Sequence, residues 1–182
     1  MRSPVKFCIA AGAILGCLWA NPVRAQSQDG KGRSEIKQDA YKSGRDKFET
    51  KDFDRGEADL LAGNKSQAGT PQWSFESAVS LARVAFDLQG KGNGAAALVA
   101  AQKAVPHLDE AKRKFGARGT PAEVANVHEL AGMICEQFLG DLTAAESNYA
   151  AAVGLAPQSG QAATLLARLR ARQTEEQRKN RK

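Results

Sequence analysis

Residues 125–157 constrain this chain more than any other stretch. From residue 126 they read NVHELAGMICEQFLGDLTAAESNYAAAVGLAP. Val124, Val127, Ala131, Ile134, Cys135, Phe138 and Leu142 recur at helical spacing and fall on one stripe of a 3.6-residue helix, with polar Asn126, Glu129 and Glu136 off it. After Gly140-Asp141 a second run follows through Leu142, Ala145, Tyr149, Ala152, Val153 and Ala156, and Pro157 stops it. Gly140 suits a helix end, and Asp141 or Thr143 can cap the next start. Neither stripe can be buried alone. The sequence predicts an antiparallel helical hairpin, with small Ala145 and Ala152 at the contact and an apolar edge left for neighbours.

Gly140-Asp141 followed by Ala145, Tyr149, Ala152 and Pro157 resembles the turn and second helix of a tetratricopeptide repeat. In the first helix Leu130, Ala131 and Gly132 resemble the Leu-Gly position, with the count to Gly140 one residue longer than the usual pattern. Two more hairpins resemble the same unit. In the middle one Phe75, Ala78, Leu81, Ala82, Ala85 and Leu88 share a face, Gln89 to Gly94 is a glycine-dense turn, and Ala97, Ala101 and Ala104 repeat the spacing of Ala145, Tyr149 and Ala152. In the first, Ile36, Ala40, Gly44 and Phe48 are four apart, Lys51-Asp52 turns, and Gly56, Leu60 and Gly63 stand where the family has Ala, an aromatic and Ala. A glycine inside a helix costs about 1 kcal/mol against alanine, which makes this second helix a weak one. Gly56, Ala97 and Ala145 are spaced by 41 and 48 residues, beyond the ~34 of the standard unit. Thr120-Pro121-Ala122-Glu123-Val124 resembles a helix start of the longer repeats of kinesin-light-chain-type proteins, and Thr120 with Glu123 is also sound capping chemistry.

The ends are of a different kind. Arg2 and Lys6 precede an apolar run from Phe7 to Ala20, Asn21-Pro22 breaks it, and Val23-Arg24-Ala25 before Gln26 has the form of a cleavage site. Residues 1–25 read as a secretory signal cut between Ala25 and Gln26, with an apolar run shorter than the ~20 residues of a spanning helix. A lipoprotein anchored through Cys17 is the weaker reading, because Leu15 and the apolar Leu18-Trp19 do not suit a lipobox. Without Arg2, Lys6 and Arg24, 23 basic residues face 20 acidic ones, so the net charge falls from +6 to +3. Two of three cysteines leave too, and Cys135 alone admits no internal disulfide. Residues 26–33 read as a flexible leader and 64–72 as a loop. Pro106 predicts a kinked continuation of the middle hairpin through Leu108, Ala111 and Phe115 to Gly116. Ala162, Leu165, Leu166 and Leu169 predict a terminal helix over residues 161–173 that covers the raw end of the stack, with a basic, disordered tail at 174–182.

Catalytic readings fail on spacing. His128 and Cys135 are seven apart, about 10.5 Å of helical rise, so they share neither a zinc ion nor a nucleophile pair within that helix. His107 has no second ligand at i+4, and Gly90-Lys91-Gly92-Asn93-Gly94 lacks the order of a phosphate loop. No catalytic residue, metal ligand or cofactor site is nominated.

The expectation is an all-α protein of antiparallel hairpins at 34–63, 73–116 and 121–157, stacked as a short α-solenoid within one domain, 34–173. The resemblance implies a non-catalytic scaffold of the periplasm or exterior that offers a concave groove to a protein or peptide. First helices line that groove in the family, which makes Arg83, Asp87, Asn126 and Glu129 the candidate lining residues. Ala97, Ala101, Ala104, Gly140, Ala145, Tyr149, Ala152 and Pro157 are its packing signature. The alternative is an envelope protein whose basic tail contacts anionic lipid or polymer; nucleic acid does not fit an exported chain.

Overall fold

A computed structural model describes residues 30–64, 68–158 and 160–181. The expected signal, the Ala25-Gln26 cleavage point and Cys17 lie outside these residues. Seven α-helices and no strand occur among the described residues. They are α1 (Gly30–Glu49), α2 (Phe53–Ala62), α3 (Pro71–Gly90), α4 (Gly94–Arg118), α5 (Pro121–Ile134), α6 (Leu142–Leu155) and α7 (Gly160–Asn180), with a π-helical turn Cys135–Leu139 between α5 and α6. Each pair joined by a short turn packs together: α1 with α2, α3 with α4, α5 with α6. The last helix, α7, packs on α6.

The helix starts follow local chemistry. Thr70 Oγ1 accepts from Trp73 N at 3.0 Å, so α3 begins two residues before the expected point, at Pro71 in its favoured first position. Asn93 accepts from Ala96 N and Asp141 from Ala144 N. Thr120 and Glu123 form a full capping box, with Glu123 Oε2 accepting from Thr120 N at 2.8 Å.

Three further boundaries differ from expectation. The first helix begins at Gly30, inside the segment read as leader. The terminal helix runs to Asn180, past the expected end at Gln173, and Glu175 there pairs with Arg178 and Lys179 along the helix. The long α4 passes through Pro106 as one helix to Arg118. Pro106 and Gln102, whose carbonyl loses its helical donor, are both exposed, where water can satisfy the orphaned acceptor.

The extra residue counted between Gly132 and Gly140 has a structural counterpart. The chain widens by one residue per turn at Cys135–Leu139, as a residue inserted into a helix commonly does. Gly140, at φ +68°, then ends the turn in the left-handed region, and both Gly140 N and Asp141 N donate to Cys135 O. By contrast Lys51 takes a similar left-handed φ of +67° at the turn after α1 without being glycine.

One large apolar cluster joins Phe48 and Leu60 of the first pair to Leu81, Val84, Leu88, Ala97, Leu108 and Phe115 of the second and to Val127, Leu130 and Ile134 of α5. A smaller one holds Phe86, Met133, Ala145, Tyr149, Leu165 and Leu169, and a third Ala125, Ala152 and Ala162. The three helix pairs therefore share core rather than standing as separate units.

Candidate functional site

The residues expected to line a groove start from two helices, α3 and α5. On α3, Arg83 is exposed and Asp87 half-buried, and both meet Tyr41 of α1. The Arg83 guanidinium lies 4.3 Å over the Tyr41 ring, and the Tyr41 hydroxyl donates to Asp87 Oδ2. Burial, then the hydrogen bond to Asp87, pushes the Tyr41 phenol above its ordinary range. Lys37 pairs with Glu76 at 2.8 Å and Lys91 with Glu49, so polar links run along the whole α1–α3 contact. A small cleft of about 40 Å³, lined by Lys37, Tyr41, Leu60, Gly63, Asn64 and Ser80, opens beside them. Its size suits a water or one small polar group.

On α5 the expectation divides. Asn126 is exposed as a lining residue must be. Glu129 is only 3% exposed, and Glu136 on the π turn is buried as well. Neither falls on a solvent face. The reason is position: α5 has α3, α4 and α6 as neighbours, so its apolar stripe is not its only covered side. The Glu136 carboxylate, 1% exposed, accepts from the Tyr149 hydroxyl at 2.9 Å and from Arg168 and Arg172 of α7, each at 3.2 Å or slightly more. Burial and the Glu136 charge raise the Tyr149 phenol above its ordinary range. Sequence reasoning missed this cluster; the legible sign was a pair of arginines one turn apart in the terminal helix.

Ala97, Ala101, Ala104, Ala145, Tyr149 and Ala152 are all buried, Gly140 makes its left-handed turn, and Pro157 follows α6 at the surface. Gly132 is equally constrained, since a Cβ there would lie 2.5 Å from the Tyr149 ring.

Many of the described titratable groups assemble into ion pairs. Lys103 bridges Asp54 at 2.9 Å and Glu57 at 2.7 Å, which holds its ammonium above the usual range. His107 Nε2 lies 3.4 Å from Glu57 and edge-on to Trp73, while His128 Nδ1 meets Asn148 Oδ1 at 3.0 Å. Burial pushes the half-buried Cys135 thiol up, away from the thiolate a nucleophile needs. No group of three metal-ligating side chains occurs among the described residues. In comparison with known proteins, no family model, no curated protein and no solved structure matches the chain.

Proposed function

We propose that this protein is a non-catalytic, tetratricopeptide-like scaffold, exported to the cell envelope, that receives a protein or peptide on the face made by α1, α3 and α5. The observation that carries this reading is the order of contacts. Each first helix touches the next first helix, α1 with α3 and α3 with α5, besides its own hairpin partner. Such a row is how stacked hairpins make one extended face. Its polar residues Arg83 and Asn126 stay exposed while the alanines behind it are buried. Export rests on the N-terminal pattern of Arg2, Lys6, the apolar run and Ala25-Gln26.

The basic-tail alternative draws less support. Arg168 and Arg172 pair with Glu136, Arg170 with Glu146 at 2.8 Å, and Arg178 and Lys179 with Glu175, so much of the positive charge of α7 already has a carboxylate partner.

Photo-crosslinkers placed at Arg83 and Asn126 in envelope-localised protein test the scaffold reading against exposed Gln102 of α4 and Ala150 of α6. The expected result is the same captured partner from the first two positions and none from the controls. Equal capture from all four, or retention on anionic vesicles that disappears with residues 174–182, would overturn it.

A further inference from the structure

We propose that α7 is a latch helix: it opens from the body as a unit while α1 to α6 stay folded, and the contact of Glu136 with Arg168 and Arg172 keeps it shut. The inference concerns the end of the helical stack and does not depend on a partner in the groove.

Three observations carry it. First, α7 is twenty-one residues long yet buries only Ala162, Leu165 and Leu169. These belong to the two small clusters, and the large cluster that joins α1 to α5 contains no residue of α7; α6 also lies outside it but packs on α5 as its hairpin partner. Cooperative units open separately where few buried contacts cross between them. Second, the strongest polar tie is a single point. Arg168 and Arg172, one turn apart, both reach one carboxylate on the π turn, and their side chains remain 43% and 41% exposed while that of Glu136 is 1% exposed. In the closed state α7 thus seals Glu136 from water; once it lifts, the carboxylate is hydrated and its charge is no longer a penalty. Third, the remaining ties are weak. The Arg170 to Glu146 pair is exposed, and the pairs of Glu175 with Arg178 and Lys179 stay within α7.

Opening bares Met133, Ala145 and Tyr149, which Leu165 and Leu169 cluster with when α7 is closed. The device is therefore a cover over the terminal apolar face of the stack, held by charge at one place and by two leucines along its length.

Hydrogen exchange of the full chain, followed by mass spectrometry, tests this. In the unmodified protein, amides of residues 162–172 are expected to exchange about ten-fold or more faster than those of residues 78–88 in α3. Arg168→Gln with Arg172→Gln is expected to accelerate exchange in α7 about ten-fold further and to leave α3 and α4 unchanged. Glu136→Gln provides a second route to the same result; the arginine variant, with half-exposed side chains, keeps the test valid if the buried substitution unfolds the chain. Exchange of α7 in step with α3, no acceleration in the arginine variant, or acceleration of every helix together would each overturn the proposal.

Discussion

The first and third helix pairs solve the same contact with different volumes. Where α1 crosses α2, Gly44 faces Leu60, and a Cβ on Gly44 would lie 2.6 Å from Leu60 Cγ; Gly56 in turn lies against Phe48. Between α5 and α6, Gly132 faces the larger Tyr149 ring with an equally small allowance, and Ala145 replaces Gly56 three residues into the second helix. The middle pair distributes volume a third way, with buried Ala85, Ala97 and Ala101 at the corresponding distances from its turn. The lesson is compensation. A large residue on the second helix demands glycine on the first, and two alanines can share the space evenly.

The difference bears on how glycine is read. In isolation Gly56 weakens α2 by helix propensity, and Gly63 stands at its C-cap. In the packed molecule a Cβ on Gly56 would meet the Phe48 ring at 2.7 Å and one on Gly63 would meet Ala40 Cβ at 3.0 Å, so the same residues let the two helices touch. Their cost is local and their gain tertiary.

The comparison can be broken most severely on the third pair. Enlarging Ala145 or Ala152 to leucine should cost about 1 to 3 kcal/mol in denaturant unfolding, because both are fully buried at the contact. The same change at half-buried Ala144 should be nearly neutral; equal small effects at all three would show the helix register to be wrong. On the first pair, Gly56→Ala should lower the melting temperature in spite of the ~1 kcal/mol it gains in helix propensity. A rise would mean that α1 and α2 are free to separate.

A smaller effect is expected at the start of α5. Thr120→Ala should cost about 1 kcal/mol, read from the unfolding midpoint. Hydrogen bonds from the backbone and side chain of Thr120 hold the Glu123 carboxyl below its ordinary range. A carboxylate shifted downward stabilises the fold above its unfolded pKa and loses that contribution as pH falls through the folded value. The gap between wild type and Thr120→Ala should accordingly narrow in acid by the share that the Thr120 hydroxyl contributes; a constant gap would mean that this hydroxyl does not hold the Glu123 carboxylate. Smallest of all is a rate. Cys135, half-buried with its thiol pushed up, should react with a thiol reagent more slowly in the native protein than in the unfolded chain. Equal rates would take it out of the packed π turn.

Much of the fold was legible because it rests on local signals. The alternation of apolar stripes, the Gly140-Asp141 turn and the Thr120 to Glu123 cap are chemistry within a few residues, and the structure uses each of them. Even the surplus residue before Gly140 was countable, although its form as a π turn was not. What escaped was set by neighbours distant in sequence. Glu129 and Glu136 look solvated on a helical wheel until other helices close around α5, and no spacing rule pairs Tyr41 with Asp87, forty-six residues on. Of the four residues expected to line a groove, Arg83 and Asn126 are exposed and Asp87 half-buried, while Glu129 is buried for that same reason.

Gly132 is required by the volume of Tyr149, and a double-mutant cycle measures that dependence. Gly132→Ala alone should destabilise by about 1 to 3 kcal/mol. Combined with Tyr149→Leu, which restores the residue size that the first pair sets against a glycine, it should cost clearly less than the sum of the two single changes, with a coupling of about 1 kcal/mol or more. Strict additivity would mean that the glycine and the ring do not compete for the same space.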